Sequence, residues 1–218
     1  MTNFCHRVRV FNDFDYLFTT LEQNTTRLSE PFTDAFQVLI FCIVSLRTRD
    51  TITYKVVANL FSQAATAECM AQLSADQIAA LIYPCAFFKR KAQQILTICV
   101  GMVNKGQRQP PHTLKELLEL PGVGLKTANI TLARGHGIDA ICVDIHVHRI
   151  CNRLGLISST TPDQSEALLR AVMPRKWWIK SNELLVYFGQ QCCKPINPRC
   201  KQCFLKEKCP KNGVKSFG

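Results

Sequence analysis

Thr113-Leu114-Lys115-Glu116-Leu117-Leu118-Glu119-Leu120-Pro121-Gly122-Val123-Gly124-Leu125-Lys126-Thr127-Ala128-Asn129 is the stretch whose reading decides the fold. Thr113 and Glu116 have the spacing of a capping box and open a short helix through Leu117 and Leu118. Pro121-Gly122-Val123-Gly124 breaks it, and a second helix runs from about Leu125 to Ala133. The unit is helix, hairpin, helix over about residues 113–135. Gly122 and Gly124 let the backbone turn tightly and approach a phosphate with no side chain between. The amides opening the second helix favour an anion, which suits one DNA phosphate and carries no base information. By itself a Gly-x-Gly turn also fits an ordinary helical hairpin. Lys126 adds chemistry: in the first turn, the positive end of the macrodipole disfavours an ammonium and makes the nucleophilic neutral amine more accessible. The alternative is a solvated lysine that touches phosphate as a point charge.

Working outward, nearly every readable segment has helical periodicity, so the chain reads as all-α. Phe14, Leu17, Phe18 and Leu21 mark a first helix, and Phe36 to Leu46, apolar almost all round, a central buried one. Ile52, Val56, Val57, Leu60 and Phe61 form the next stripe, with Asp50 read as the cap of a helix starting at Thr51. Ser74 with Gln77 caps another helix, and Ala92, Ile95, Leu96, Cys99 and Val103 continue the series. Beyond the hairpin, Asp144 stands where an N-cap belongs before Val147, Ile150, Cys151 and Leu154. Thr161-Pro162 starts a helix, and a last one covers roughly Ser181 to Phe188.

With 47% hydrophobic and 20% charged residues, 218 residues make one compact domain or two small ones. A formal charge of +11 makes a polyanion such as nucleic acid the leading partner class. The longest apolar run, around Val38 to Val44, is too short to span a bilayer, so no membrane role is expected. The opening residues do not read as a secretory leader, which points to a reducing, cytoplasmic setting, nucleoid-associated if bacterial. Cys193-x6-Cys200-x2-Cys203-x5-Cys209 crowds four thiols among prolines and lysines, the density of a metal site. Structural zinc usually pairs two Cys-x2-Cys knuckles, and only one is present; uneven all-thiolate spacing is at home on an iron–sulfur cluster. Cys192 is one residue off the spacing and is read as a non-ligand. Asp144 fits a plain N-cap, but a carboxylate held ionised near a basic cleft also suits stabilising a cationic sugar-like transition state. His146 and His148 read as hydrogen-bonding rather than metal-binding histidines.

With these features in place, the chain resembles the endonuclease III family of DNA glycosylases with associated AP lyase activity. LPGVGLKTAN from Leu120, VDIHVHR from Val143 and the cysteine spacing match in order and spacing, within a resemblance from about Pro31 to Cys209. The resemblance implies a two-domain helix-hairpin-helix glycosylase fold. Residues 28–138 would form a six-helix domain, and 1–27 with 139–218 a [4Fe-4S] domain, DNA lying across the cleft between them. It implies Lys126 as lyase nucleophile, Asp144 as catalytic carboxylate, and Cys193, Cys200, Cys203 and Cys209 as cluster ligands. It further implies DNA contacts from Gly122, Gly124, Lys194 and Arg199, and a monomer that removes oxidised pyrimidines from damaged double-stranded DNA. The chain departs from the family at Ser45-Leu46-Arg47-Thr48-Arg49-Asp50, where many relatives carry glutamine in place of Arg47. Arg47 would fill the gap left by a flipped nucleotide, and Phe87 stands where the family inserts an aliphatic wedge, a core phenylalanine being the competing reading. Two rivals stand beside this reading. An adenine-type mismatch glycosylase generally lacks the lysine at 126 and carries a further C-terminal domain that 218 residues cannot accommodate. A noncatalytic zinc-containing DNA-binding module would be colourless where an iron–sulfur protein is yellow-brown.

Overall fold

The structure is a computed structural model that describes residues 13–25 and 32–217. Regular elements among the described residues are all helical. The chain divides into two compact units, Glu30–Ala140 and Met1–Ser29 with Ile141–Gly218.

In the first unit α2 (Ala35–Ser45) is central, because residues such as Val38, Leu39, Ile40 and Ile43 leave it no polar face to turn outward. Asp34 caps it by accepting from the Gln37 amide. Around it lie α3 (Asp50–Gln63), α4 (Ala67–Ala71), α5 (Ala75–Ile82), α6 (Phe88–Asn104), α7 (Leu114–Glu119) and α8 (Leu125–Ile130). The Ser74–Gln77 capping box of α5 is complete, with both reciprocal bonds made. Asp50 is not the cap of α3: the helix starts one residue earlier than expected, Arg49 occupies the cap position, and Asp50 lies in the first turn, where its charge meets the positive helix end. Val103, expected in the buried stripe of α6, is 40% exposed, and Ile98 and Met102 take the inward positions instead. The helix expected to reach Ala133 is α only through Ile130, then widens into a π turn over Thr131–Gly135. There His136 N–H reaches the Thr131 carbonyl at 3.1 Å, and a Cβ on Gly135 would lie 2.5 Å from Ala35 Cα. Only glycine lets the π turn lie that close to α2.

The second unit holds α1 (Phe14–Asn24), α9 (Ile145–Arg153), α10 (Pro162–Val172) and α11 (Trp178–Gln191). Phe14, Leu17, Phe18 and Leu21 bury the apolar face of α1 in a core shared with Val147, Ile150, Trp177 and Leu184. Full burial of each such side chain is worth roughly 1.5–3 kcal/mol, so this face outweighs the exposed ion pairs on its rim. Those pairs, Lys176 with Asp15 and Lys180 with Glu22, set orientation. Bonds from Lys176 and the Trp177 indole hold the Asp15 carboxyl below its ordinary range. Segments from both ends of the chain thus complete one core, and α11, longer than the sequence suggested, closes on α9 where a Cβ at Gly189 would be 2.4 Å from His146 Nδ1.

Candidate functional site

The hairpin turns through Val123 N–H to the Leu120 carbonyl, with Gly122 at φ +70°, a left-handed conformation that costs other residues roughly 1–2 kcal/mol. Gly124 differs. It is the N-cap of α8 at φ −97° and ψ 177°, extended backbone open to any residue, and no atom lies within 4 Å of where its Cβ would be. Nothing inside the protein asks for glycine there; a surface with no side chain is what the position offers to something approaching from outside. Lys126 is exposed in the first turn of α8, while Thr127, Ala128, Asn129 and Ile130 are buried and anchor the helix beneath it.

Beside the hairpin lies a groove that the sequence did not announce. Arg47, Phe87, Arg90, Lys91, Gln94 and Gly122 line it, and no carboxylate stands among the lining residues. Phe87 is 54% exposed, which removes the core reading. Arg47 and Phe87 both have left-handed backbone, at φ +56° and +58°, and the Arg47 guanidinium lies 5.7 Å from the Phe87 ring centroid. Arg90 faces the same ring at 5.8 Å. Left-handed non-glycine residues persist only where surrounding structure over-determines them, and they gather at functional sites. α6 also begins with Lys89 and Arg90 and no acidic residue in its first turn, the reverse of what its dipole favours and an attraction for anions. Lys91, nearly fully buried, falls on the apolar stripe with Ile95, Ile98 and Met102. A lysine in phase with that stripe was the available signal. Burial pulls its ammonium below the ordinary lysine value. Gln94 packs its amide against Gly122, and its Nε2 has no hydrogen-bond partner.

Asp144 is the N-cap of α9, accepting from the His146 and Val147 amides at 2.8 and 2.9 Å. Both bonds go to Oδ1, so the cap fixes the half-buried carboxylate through one oxygen. Lys126 belongs to one unit and Asp144 to the other. His148 bonds Ser165, and His146 Nδ1 lies 3.1 Å from Arg149, hydrogen-bonding roles in both cases.

Cys193, Cys200, Cys203 and Cys209 line one pocket, and Cys192 lines it too, its thiol directed at the Arg199 carbonyl at 3.8 Å. Among the described residues, no three or more His, Cys, Asp or Glu side chains converge on a single ion position. The thiols instead ring a shared space. Burial and the charge of neighbouring thiolates push Cys200 up and Cys209 up to about 11. Two arginines of α9, which sequence reasoning passed over, brace this segment. Arg149 donates to the Cys193 carbonyl at 2.9 Å, and Arg153 to the Lys194 and Pro195 carbonyls at 2.7 and 2.9 Å and toward Cys193 Sγ at 3.4 Å. Arg199, exposed, donates its amide to the Cys192 carbonyl at 3.0 Å. No helix among the described residues is long and apolar enough to cross a membrane.

An all-α scaffold with a helix-hairpin-helix, an exposed lysine just past its glycines and a basic groove alongside defines the class of helix-hairpin-helix DNA glycosylases. Residues 40–175 match the family model for HhH-GPD superfamily base excision DNA repair proteins. Endonuclease III of Thermotoga maritima is 42% identical over 177 residues, covering 81% of this chain and 83% of the relative. Endonuclease III homolog 1, chloroplastic, of Arabidopsis thaliana is 36% identical over 80% of this chain, which spans about half of that longer relative, 48%. A solved structure of an endonuclease III–DNA covalent intermediate, an estranged-adenine complex, superposes with a TM-score of 0.79 at 27% identity, over 90% of this chain and 92% of that one. The chain belongs to the endonuclease III family within the HhH-GPD superfamily of base excision DNA repair proteins.

Proposed function

We propose that Lys126 and Asp144 make the chain a bifunctional repair enzyme, a DNA glycosylase and AP lyase that acts as a monomer on oxidised pyrimidines in damaged duplex DNA. The observation that carries this is the exposed Lys126 amine, in the first turn of a helix whose N-cap, Gly124, has open space at its Cβ position. The damaged nucleotide leaves the stack, since its sugar carbon is out of reach inside an intact duplex. The hairpin amides hold a phosphate, and the neutral Lys126 amine attacks the sugar carbon and displaces the base. Asp144, its Oδ1 fixed by two amide bonds, stabilises the positive charge that develops on the sugar and accepts the proton Lys126 loses. The Schiff base then acidifies the neighbouring sugar proton, and β-elimination cuts the strand on the 3′ side. Arg47 and Phe87 enter the space the nucleotide vacates. Neither the adenine-type glycosylase nor the noncatalytic module is favoured by the likenesses found.

Cys193, Cys200, Cys203 and Cys209 would hold a [4Fe-4S] cluster. The donor set fits: four thiols stand around one pocket, two of them, Cys200 and Cys209, disfavoured as free thiolates by burial and neighbouring charge, and such a set is suited to a group that takes up thiolate charge. Bound there, the cluster would supply a rigid anchor rather than hydrolytic chemistry. Arg149 and Arg153 fix the carbonyls of the loop, and Lys194 and Arg199 meet the phosphate backbone.

The test is borohydride trapping on abasic-site duplex. The wild-type protein should form a covalent adduct, and Lys126→Gln should form none while keeping its circular dichroism. A Lys126→Gln protein that traps as well as wild type removes the nucleophile assignment.

A further inference from the structure

The Lys91 side chain is 96% buried, 4% being exposed, yet its ammonium has three acceptors for its three donors. They are the Val44 carbonyl at 2.7 Å, the Leu46 carbonyl at 2.6 Å and Thr48 Oγ1 at 3.1 Å. All three flank Arg47. Thr48 Oγ1 also accepts from the Ala86 amide at 3.1 Å, the residue before Phe87. One ammonium and one hydroxyl therefore tie together the two left-handed turns that present Arg47 and Phe87 to the groove.

We propose that Lys91 and Thr48 are positioning residues that lock the Arg47 and Phe87 turns into one DNA-inserting element. The inference rests on the proposed glycosylase reading. Its physical basis is that each turn holds a non-glycine residue in strained backbone, which relaxes unless something outside the turn holds it. The charge strengthens the lock, since hydrogen bonds from an ammonium are about twice as strong as neutral ones. With its donors filled, Lys91 is no nucleophile despite its burial, and it acts on DNA only through the side chains it orients. Capping the end of α2 is the plainer role for the two carbonyl bonds; the Thr48 bridge to Ala86 goes beyond it, because α2 gains nothing from that bond.

Thr48→Val removes the bridge at nearly constant volume, and Thr48→Ser restores the hydroxyl. Three readouts separate positioning from folding: single-turnover base release from a duplex with one oxidised pyrimidine, 2-aminopurine fluorescence opposite the lesion, and borohydride trapping on single-stranded DNA with a preformed abasic site. Thr48→Val should lose roughly tenfold in duplex base release, the scale of one lost hydrogen bond in the productive geometry, along with most of the fluorescence change. Single-stranded trapping should be unchanged, because no gap needs filling there, and Thr48→Ser should recover both losses. Lys91→Met should follow Thr48→Val where it folds; where it does not, the Thr48 pair decides. A Thr48→Val enzyme equal to wild type on duplex, or one equally impaired on both substrates, overturns the lock. Absence of trapping by the wild-type enzyme would instead overturn the glycosylase reading, so the two failures are distinct.

Discussion

Gly122 in the hairpin and Arg47 and Phe87 in the groove all adopt left-handed backbone, at φ +70°, +56° and +58°, but only the first is glycine. The hairpin uses the residue for which that conformation carries no steric penalty, and its shape is a property of the backbone. The groove places a guanidinium and a ring at positions where each pays a strain, and that strain is offset from outside by Lys91 and Thr48. A hairpin that presents amides needs a bare backbone. A groove that presents side chains cannot use glycine, and it needs a buried brace instead.

The largest effect should come from breaking the hairpin's half of this contrast. Gly122→Ala forces a Cβ into left-handed backbone and toward Gln94 Nε2, 2.8 Å away. The amide can move, so conformation dominates, and urea denaturation should show a loss of about 1–2 kcal/mol. Affinity for abasic-site duplex should fall as well, since the turn that aims the α8 amides is altered. An unchanged unfolding midpoint would mean that the turn is not held left-handed in solution.

The groove should answer in the opposite direction. Arg47→Gly releases strain, and after glycine's own entropic cost the protein should be up to about 1 kcal/mol more stable by the same denaturation. Base release from duplex should fall, because the guanidinium over Phe87 is gone. Stability and turnover moving in opposite directions is the signature of a residue kept for function. A stability loss above about 1 kcal/mol would show that Arg47 packs rather than inserts.

How much of this was legible in the sequence follows the same divide. The helix-hairpin-helix, the N-cap at Asp144 and the cysteine spacing are local patterns, and each stood in the sequence because neighbouring residues carry the whole signal. Arg47 and Phe87 were named from the sequence, but the brace behind them was not legible, because it joins Lys91 to residues more than 40 positions away, 47 in the case of Val44. The π turn escaped for a like reason: Gly135 is spaced against Ala35, a contact no window of sequence contains. Arg149 and Arg153 carried no local signal for their part, because the carbonyls they bond belong to the cysteine segment about 40 residues further on.

Gly124→Ala is the smallest perturbation and the cleanest division between the two uses of glycine. At φ −97° alanine is unstrained, and the space around its Cβ is empty, so the unfolding free energy should stay within about 0.5 kcal/mol of wild type. The methyl group would nonetheless stand where a phosphate meets the first amides of α8, and it should hold the backbone off by a few tenths of an ångström. Duplex affinity should then fall severalfold, equally for lesions of any kind, because a phosphate contact carries no base information. Fluorescence anisotropy on an undamaged and an abasic duplex measures both effects. Equal loss on the two keeps Gly124 as a phosphate-approach position, whereas a loss confined to the abasic duplex would move it into the pocket that receives the flipped sugar.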